Sequence, residues 1–433
     1  MNNPAPKTCL GDYVSLQRGN TYQSAMLGMD GPVLLGLASI ARNGGFRDDN
    51  LKTYGGASDP RMLLVPNDIY VSLKDVTQSA DLLGAVARVP SHIPSGRLTQ
   101  DTVKLNFRDS DAPSNYIYWI LRTPEYREYC RSYATGTTNL GLPRDDFLAY
   151  PIPFLTPQRN ALVKVLQGIE DKIDLNRRMN ETLEAMARAI FKDWFVDFGP
   201  VRAKAEGRPP YLAPELWSLF PDALDDEDKP VGWRMASIGD VFAINPPEPL
   251  RKGCVAPYLD MAALPTQGCW PDTPIPREFS SGTRFRNGDT LLARITPCLE
   301  NGKSAFVRCL DDAEVGWGST EFIVMRPLKP LPLAYGYILA RDDKFREHAI
   351  QSMTGTSGRQ RVQTDTLCQY MVSVPAPQVL NAFGALIDPW FDLIKTNAQQ
   401  SDSLSQLRDL LLPKLMSGEI RLRDAEKAVE AAL

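Results

Sequence analysis

The sequence is poor in the residues from which metal sites and catalytic triads are most often built. Its 433 residues include only two histidines, His92 and His348, and we expect both to serve packing or the surface. The seven cysteines form no Cys-x-x-Cys pair and are odd in number, so we expect reduced, mostly structural thiols in a cytoplasmic protein. No metal site and no catalytic residue is therefore predicted.

Long apolar runs and a dominant charge are also missing. No stretch approaches the ~18–20 apolar residues that a membrane span needs, and residues 1–4 do not resemble the start of a signal peptide. The net charge is −4, and the segment 209–235, with 2 Lys/Arg against 6 Asp/Glu, accounts for the whole deficit. The balance elsewhere neither demands nor excludes binding to nucleic acid.

What the sequence does contain is a repeat at a separation of about 219 residues. The matched motifs are Leu10-Gly11-Asp12 with Ile238-Gly239-Asp240, Thr135-Gly136-Thr137 with Thr354-Gly355-Thr356, and Ile152-Pro153 with Val374-Pro375. Each copy ends in a long helical pattern. Two copies are too few for a solenoid, so we infer a duplicated domain-plus-helix unit with pseudo-two-fold symmetry, which suits a ligand that comes in two halves.

Each copy mixes short apolar runs with turn signals, which predicts strand-rich, mixed α/β domains over residues 1–156 and 236–376. Strands are predicted at 33–35, 62–65, 69–73, 83–87, 290–293, 304–307 and 322–325. Helices are predicted at 114–130 and near 333–350. The acidic, proline-rich segment 199–235 is predicted to be a linker with little core of its own.

Two long helices are predicted at 157–198 and 377–416, followed by a C-terminal tail at 417–433. Thr156 can cap the first helix and Pro157 suits its first position. Pro389 is expected to kink or restart the second. The apolar residues follow the narrow stripe of a coiled-coil seam, and an internal duplication lets the two helices pair only antiparallel. The predicted seam and assembly residues are Leu166, Ile169, Ile173, Asn176, Asn180, Leu183, Trp194, Ile387, Ile394, Leu404, Leu407 and Leu411.

The polar seam residues Asn176 and Asn180 are open to two interpretations. Polar residues in a seam usually determine register and partner, whereas the same residues could form a solvated patch at a helix bend.

Two short motifs resemble catalytic sequences without meeting their requirements. Asn245-Pro246-Pro247-Glu248 is close to the loop with which amino-methyltransferases hold a flipped base, but Glu cannot stack on a base. The alternative, a rigid entry to a strand, is favoured. The segment 301–304, which contains Lys303, resembles the end of a P-loop but lacks the required upstream glycine. A lysine that faces a DNA phosphate is more plausible there.

Polar and basic loops are the better candidates for a binding surface. Hydroxyls and backbone N–H groups of the Thr-Gly-Thr loops suit phosphate contacts, and nearby arginines could reach phosphates or guanine edges. An ordinary turn between helix and strand remains the alternative. The predicted DNA-binding residues are Arg42, Arg47, Lys52, Lys74, Thr135, Gly136, Thr137, Arg284, Arg286, Arg294, Lys303, Thr354, Gly355, Arg359 and Arg361.

Four segments together resemble the specificity subunit of type I restriction–modification systems. They are IDLNRRMNETLE at 173–184, FKDWFVDFGPVR at 191–202, ARITPCLENGK at 293–303 and GSTEF at 318–322. The resemblance covers essentially the whole chain. It implies two target-recognition domains, each reading one half of a bipartite site in double-stranded DNA, separated by helices that set the spacing and dock two modification subunits.

The resemblance also implies where the chemistry lies. No cofactor is expected in this chain. S-adenosylmethionine and methylation of adenine at N6 would belong to the modification subunits, and DNA cleavage to separate restriction subunits. We therefore expect a non-catalytic DNA-recognition and assembly subunit in the cytoplasm, without a membrane partner. A stand-alone DNA adenine methyltransferase and a coiled-coil scaffold without a DNA role remain the alternatives.

Overall fold

The computed structural model describes residues 8–48, 51–137, 139–356 and 358–414. The predicted tail at 417–433 lies outside these ranges. The chain divides into two compact units. Unit 1 comprises Met1–Ile173 with Asp402–Leu433, and unit 2 comprises Asp174–Ser401. The predicted domain boundaries stay predictions.

The described part of unit 1 contains a four-stranded sheet, here called the inner sheet, a three-stranded outer sheet, two two-stranded sheets and short helices. Its strands are β1 (Thr8–Cys9), β2 (Val14–Arg18), β3 (Val33–Leu35), β4 (Leu63–Leu64), β5 (Ile69–Ser72), β6 (Lys74–Asp75), β7 (Val86–Arg88), β8 (Gly96–Leu98), β9 (Thr102–Phe107), β10 (Leu140–Gly141) and β11 (Pro151–Ile152). Its short helices are α1 (Leu10–Tyr13), α2 (Ser114–Ile120), α3 (Pro124–Ser132) and α4 (Arg144–Leu148). The inner sheet has the order β2-β9-β5-β7 and the outer sheet β3-β8-β4.

The chain continues into α5 (Pro157–Phe191), a π-helical turn (Lys192–Val196), α6 (Gly199–Ala205) and α7 (Pro214–Trp217). Strands of unit 2 follow: β12 (Arg234–Ser237), β13 (Phe242–Ile244), β14 (Val255–Leu259), β15 (Ile275–Glu278), β16 (Thr283–Phe285), β17 (Thr290–Ala293), β18 (Ser304–Phe306), β19 (Gly316–Gly318), β20 (Phe322–Pro327), β21 (Met353–Thr354), β22 (Arg361–Val362) and β23 (Met371–Val374). Its further helices are α8 (Ile238–Val241), α9 (Leu333–Ala340), α10 (Asp343–Gln351), α11 (Thr364–Cys368) and α12 (Pro377–Leu411).

The inner sheets of the two units share strand order and register. The inner sheet of unit 2 has the order β13-β20-β17-β18. Tyr70 of β5 faces Lys104 of β9, and Leu291 of β17 faces Val324 of β20. The residues matched in this way are 221 and 220 positions apart. The repeat in the sequence is therefore a repeat of strand pairing, and the predicted mixed α/β fold with two similar halves is confirmed.

The central strands and the helix that covers them form the core of each unit. β5 and β17 are buried at every position, which is expected of strands covered on both faces. In unit 2, Ala334–Ala340 of α9 are all buried, because this helix is apolar all round and lies inside the core.

The helix predicted over 114–130 is wrong in one respect, since the structure breaks it into α2 and α3. Thr123 caps α3 by accepting a hydrogen bond from the Tyr126 N–H, and Pro124 occupies its first position. Both features favour a new helix start over continuation. In the second copy, Asp342 caps α10 by accepting from the Phe345 N–H, so the predicted helix near 333–350 is broken at the matching place.

Other element boundaries also differ from expectation. The strand predicted at 83–87 begins only at Val86, because Gly84 has a φ of +71°. The restart predicted at Pro389 is not observed, since α12 passes through this residue unbroken. Phe383 and Ile387 before it and Phe391 after it are buried in the core of unit 2, and this packing holds the helix together across the missing hydrogen bond.

The segment 199–235, predicted to be a linker with little core of its own, has a few apolar residues that pack into the core of unit 2. Val201 and Ala203 of α6 are fully buried, and Phe220 is 3% exposed. The ring of Phe220 lies 5.0 Å from that of Trp194 in an edge-to-face arrangement. The acidic and proline-rich composition hid these few apolar anchors, which fasten the segment to unit 2.

Unit 2 buries a tyrosine–arginine–glutamate network at the end of α9. The Tyr337 hydroxyl donates to Glu184 Oε1 at 2.7 Å and accepts from Arg341 Nε at 2.9 Å. Burial raises the pKa of Glu184, and Arg341 and the Tyr337 hydroxyl oppose this shift. Among the described residues the hydroxyl is the only hydrogen-bond donor to this carboxylate, so it bridges the buried side chains of Glu184 and Arg341.

Unit 1 repeats this network with a different geometry. Arg122 Nη1 donates to the Tyr118 hydroxyl at 3.0 Å and to Glu170 Oε1 at 2.5 Å. The Tyr118 hydroxyl lies 3.4 Å from Glu170 Oε2. Here the arginine contacts the carboxylate directly, so the tyrosine hydroxyl matters less to the pair.

Candidate nucleic-acid interface

In unit 1 the Thr-Gly-Thr loop is fastened to the end of the central strand. β10 pairs with β6, so that Gly141 faces Lys74. The N–H groups of Thr135 and Gly141 each donate to the other residue's carbonyl at 2.8 Å, which closes the loop. Gly136 has a φ of +97°, a conformation that glycine adopts without strain. The loop therefore lies beside the residues that directly follow β5.

The loop of unit 2 is fastened in the same way. β21 pairs with β22, so that Thr354 faces Arg361. Arg361 also forms a bridge with Ile295, directly after β17, and the Val362 N–H donates to the Arg294 carbonyl at 2.9 Å. In both units the loop thus packs against the chain that leaves the central strand.

We call these two places the corners. The first corner comprises Lys74, Asp101, Thr135 and Gly141, and the second comprises Arg294, Glu321, Thr354 and Arg361. Sequence reasoning selected five of these eight residues and missed Gly141 and both acids.

Each corner contains one cation paired with one acid. In the first corner Lys74 Nζ lies 3.4 Å from Asp101 Oδ1. In the second, Arg361 Nε donates to both carboxylate oxygens of Glu321 at 2.9 Å, and Nη2 donates to Oε1 at 2.6 Å. These hydrogen bonds lower the pKa of Glu321 and raise the pKa of Arg361.

The acid is shared between the corners but the cation is not. Asp101 directly precedes β9 and Glu321 directly precedes β20, at matched positions of the two sheets. By strand pairing Lys74 corresponds to Ile295, and Gly141 corresponds to Arg361. The cation therefore sits on one strand in the first corner and on the facing strand in the second. The backbone is repeated while its charged side chains are rearranged.

A cavity opens at each corner. That of unit 1 measures about 370 Å³ and is lined by Leu16, Arg18, Leu73, Lys74, Gln100, Asp101, Val103, Thr135, Gly141, Leu142, Pro143 and Arg144. That of unit 2 measures about 380 Å³ and is lined by Asn245, Pro246, Pro247, Gly282, Thr283, Arg284, Arg294, Thr320 and Phe322. The first lining has three basic residues against one acid, and the second has two against none. Each cavity thus has a surplus of two positive charges, although the chain as a whole is acidic.

Sequence reasoning missed several polar residues of the first cavity. Arg18 Nε donates to the Gln100 carbonyl at 3.1 Å, and Arg144 Nη2 donates to the Leu16 carbonyl at 3.2 Å. These residues come together only through folding. Glu321 directly precedes a predicted strand, but no strand was predicted after Asp101, so the match between the two acids became visible only in the structure.

Three predicted cations of unit 1 lie away from its corner cavity. Arg42 is highly exposed, with its Nε 3.9 Å from Asp81 Oδ2. Arg47 and Lys52 are also exposed and lie on the loops between β3 and β4. None of the three lines the cavity of the first corner. Their role in DNA binding stays a prediction.

Two predicted cations of unit 2 are held by their own unit. Lys303 is half-buried and its Nζ donates to the carbonyls of Met261 and Ala262 at 2.7 and 3.3 Å. Arg286 Nε lies 3.7 Å from Glu248 Oε1. The structure thus shows a local anchoring contact for each of these side chains. The remaining loop residues, Thr137, Gly355 and Arg359, are exposed.

The Asn-Pro-Pro-Glu motif serves the architecture of unit 2. The Asn245 Oδ1 accepts from the Val324 N–H at 2.9 Å, so this amide is already engaged with a strand. Glu248 is buried against Arg326 Nη1 at 2.6 Å, and Arg326 also pairs with buried Asp289. The interpretation as a rigid entry to a strand is supported by these contacts, and they explain the Glu that replaces an aromatic residue.

The predicted seam residues lie in the cores of the two units. In unit 1, Leu166, Ile169, Leu404 and Leu411 are buried, and Ile173 and Leu407 pack against the same cluster. In unit 2, Trp194, Ile387 and Ile394 are buried, and Leu183 packs beside them. These residues therefore stabilise the helix pairing within each unit.

The seam asparagines, of which Asn180 is half-buried, form hydrogen bonds across the helices. Asn176 is fully buried, and its Nδ2 donates to Gln400 Oε1 at 2.9 Å. Asn397 Nδ2 donates to Asn180 Oδ1 at 2.8 Å. Since a later residue of α5 meets an earlier residue of α12, the helices run antiparallel here, as predicted. A solvated patch at a bend does not describe these residues.

Metal-binding clusters and membrane-spanning helices can be assessed only for the ranges that the structure describes. No group of three or more His, Cys, Asp or Glu side chains within them is arranged to hold a metal ion. No helix within them combines the length and the apolar character needed to cross a lipid bilayer.

Comparison with known proteins relates the chain to one kind of protein. No family model matches it. The MjaIX type I restriction enzyme specificity subunit of Methanocaldococcus jannaschii is 25% identical over 331 residues, which cover 72% of this chain and 70% of that protein. The HindI specificity subunit of Haemophilus influenzae is 23% identical over 367 residues, covering 70% of this chain and 77% of the relative.

The fold is also found in a solved structure. The type I restriction–modification S subunit from M. genitalium superposes with a TM-score of 0.50 at 14% identity, over 96% of this chain and 97% of that one. The fold extends over nearly the whole chain, and the sequence relationship over some seven-tenths of it. This chain is a homologue of the type I restriction enzyme specificity subunits.

Proposed function

We propose that this chain is the sequence-specific DNA-recognition subunit of a type I restriction–modification complex. Each unit reads one half of a bipartite site in double-stranded DNA. The observation that carries the proposal is the pair of corners, which share a backbone and adjoin cavities with a surplus of positive charge but differ in their side chains. Phosphates attract the charge, and different side chains read different base edges. The homology to specificity subunits supports the same function.

The long helices are the proposed docking site for two modification subunits, which would in turn associate with restriction subunits. Leu175, Met179 and Met186 of α5 are 45%, 36% and 45% exposed, and their spacing of four and seven residues puts them on one face of the helix. An exposed apolar stripe of this kind suits a partner helix. S-adenosylmethionine and adenine N6-methylation are assigned to those partners, so this cytoplasmic chain has no catalytic role.

The charge of the chain predicts a dependence on the partners. Phosphate contacts dominate DNA affinity, and this chain carries a net charge of −4 with only local basic surfaces. We expect modest DNA affinity of the chain alone and tight, specific binding of the assembled complex. Gel shifts of both, on the cognate site and on scrambled DNA, measure this difference.

A domain exchange tests the two-half model. Residues 1–156 are replaced by the matching segment of a homologue, and methylated adenines in the host genome are mapped by long-read sequencing. One half of the site is expected to change. The matched control exchanges residues 236–376 and is expected to change the other half. A change of both halves in either experiment would contradict separate recognition.

The alternatives predict different results. A stand-alone methyltransferase would transfer a labelled methyl group from S-adenosylmethionine to DNA without any partner, and the engaged side chain of Asn245 counts against it. A scaffold without a DNA role would assemble its partners but show equal gel shifts on cognate and scrambled DNA.

A further inference from the structure

The geometry points to Arg361 as a residue that reads a guanine in the second half-site, held in position by Glu321. This inference rests on the proposed function and specifies the chemistry of one corner. In the first corner, Lys74 has the corresponding role from a different strand and is held in position by Asp101. Glu321 and Asp101 act as positioning residues.

The first step concerns the free edge of the guanidinium. A guanidinium carries five N–H donors in a planar fork. Glu321 occupies the edge formed by Nε and Nη2 of Arg361. The end formed by Nη1 and Nη2 retains donors, and the contact of Nη1 with the Arg359 carbonyl is long, at 3.5 Å. Two parallel donors at this end match the O6 and N7 acceptors of guanine in the major groove.

The second step concerns preorganisation. A free arginine side chain loses about 2 kcal/mol of rotamer entropy when it is fixed. Here Glu321 already holds the guanidinium plane, while the Arg361 side chain is still 42% exposed. The side chain is therefore accessible to DNA and its orientation is set before binding. This lowers the cost of forming a bidentate contact.

The third step is the comparison between the corners. If the salt bridge served only the fold, we would expect its cation at the same matched position in both units. Instead the acid stays in place, and the cation changes both its type and its strand. Lysine is a point charge, whereas arginine presents a fork. The two corners thus offer different donor patterns on one framework, as two unlike half-sites require.

The fourth step is the surroundings of Arg361. Arg294 belongs to the same corner, and its charge lowers the pKa of Glu321 further. Nη2 of Arg294 donates to the Val362 carbonyl at 3.0 Å, while its buried Nε has no hydrogen-bond partner among the described residues. The corner thus retains positive charge after the Glu321–Arg361 pair is formed, and it can attract a phosphate next to the base that is read.

The test uses the full chain assembled with the modification subunits of the proposed complex. The site is first determined by mapping methylated adenines. Affinities are then measured by fluorescence anisotropy on duplexes in which each base pair of the site is replaced in turn. Wild type, Arg361→Ala, Arg361→Lys and Glu321→Gln are compared. The matched control is Lys344→Ala, an exposed cation of unit 2 on α10 that is outside the corner and the predicted DNA-binding residues.

We expect Arg361→Ala to lose roughly 10- to 100-fold discrimination at a single G·C pair of the second half-site. Arg361→Lys keeps the charge but not the fork, so most of that discrimination is lost too. Glu321→Gln is expected to weaken discrimination at the same pair. Lys344→Ala leaves the profile unchanged, and Lys74→Ala relaxes one position in the first half-site only.

Three results would overturn the inference. The first is an equal loss of affinity on every duplex with Arg361→Ala, which indicates a phosphate contact. The second is an unchanged profile with Arg361→Ala, and the third is a second half-site without any G·C pair. Thermal melting checks that the variants fold, and a surface pair of this kind contributes little to stability. A wild-type complex without sequence preference would instead refute the proposed function itself.

Discussion

Replacing Tyr337 by Phe should strongly destabilise unit 2, although the substitution removes only one hydroxyl group. The hydroxyl accepts from Arg341 Nε and donates to Glu184 Oε1, and all three side chains are buried. Hydrogen bonds to charged groups are worth roughly 1.5–3 kcal/mol each. With two of them removed and a buried carboxylate left without its donor, we expect a loss of about 3–5 kcal/mol.

The matched variant in unit 1 is Tyr118→Phe. Arg122 Nη1 contacts Glu170 directly at 2.5 Å, and the side chain of Glu170 is 27% exposed. The pair therefore survives the loss of the hydroxyl, and we expect a cost of only about 1–2 kcal/mol. Tyr133→Phe, at a position that is 44% exposed, serves as a neutral control within about 0.5 kcal/mol.

Native-state hydrogen exchange resolves these effects, because it reports the opening free energy of individual elements. The amides of α9 report on Tyr337 and those of α2 report on Tyr118. Equal costs for the two variants would refute the assignment of the Tyr337 hydroxyl as the bridge between the charges. So would a loss below about 1 kcal/mol for Tyr337→Phe.

Three further predictions concern buried polar groups of unit 2. Asn176→Asp should lower the free energy of unfolding in urea by about 2–4 kcal/mol, because a carboxylate cannot donate to the oxygens around it. Asn180→Asp keeps its acceptor role and should cost less. Equal costs for the two variants would contradict this reasoning. Burial raises the pKa of Glu184 above its usual 4.5, so the folded state holds this proton longer and stability should fall as pH rises from about 4.5 through the folded pKa. Glu184→Gln should flatten that slope in melts between roughly pH 4 and 7, and an unaltered slope would assign it to other groups. Glu248→Ala should cost about 1–2 kcal/mol, since Arg326 keeps its second acid, and melting that matches wild type would show that the Asn-Pro-Pro-Glu loop needs no such anchor.

The duplication illustrates how two specificities can come from one fold. The strand pairing that places each corner is repeated in register, and the loop that closes it contains Thr-Gly-Thr in both copies. Yet Lys74 and Arg361 are not matched positions. Under the proposed function, the side chains at a corner can differ between the halves while the buried strands β5 and β17 maintain its backbone.

Local sequence patterns were sufficient for the parts of the fold that depend on near neighbours. The repeat, the two long helices and most central strands follow from apolar spacing, Thr156 and Pro157, which act within a few residues. Thr123 and Pro124 are also local signals, and they indicate a new helix start between α2 and α3. Because the apolar pattern continues across them, a single helix was predicted instead.

Tertiary structure decided what depends on residues far apart in the chain. The attachment of 199–235 to unit 2 depends on a few apolar side chains that pack into its core. Overall composition does not reveal so small a number of residues. The corners likewise join a loop, a strand end and an acid that are separated by 27 to 67 residues in the chain. Sequence determined that two similar halves exist; only folding decided which charges meet, because pairing between distant strands brings them within reach of one another.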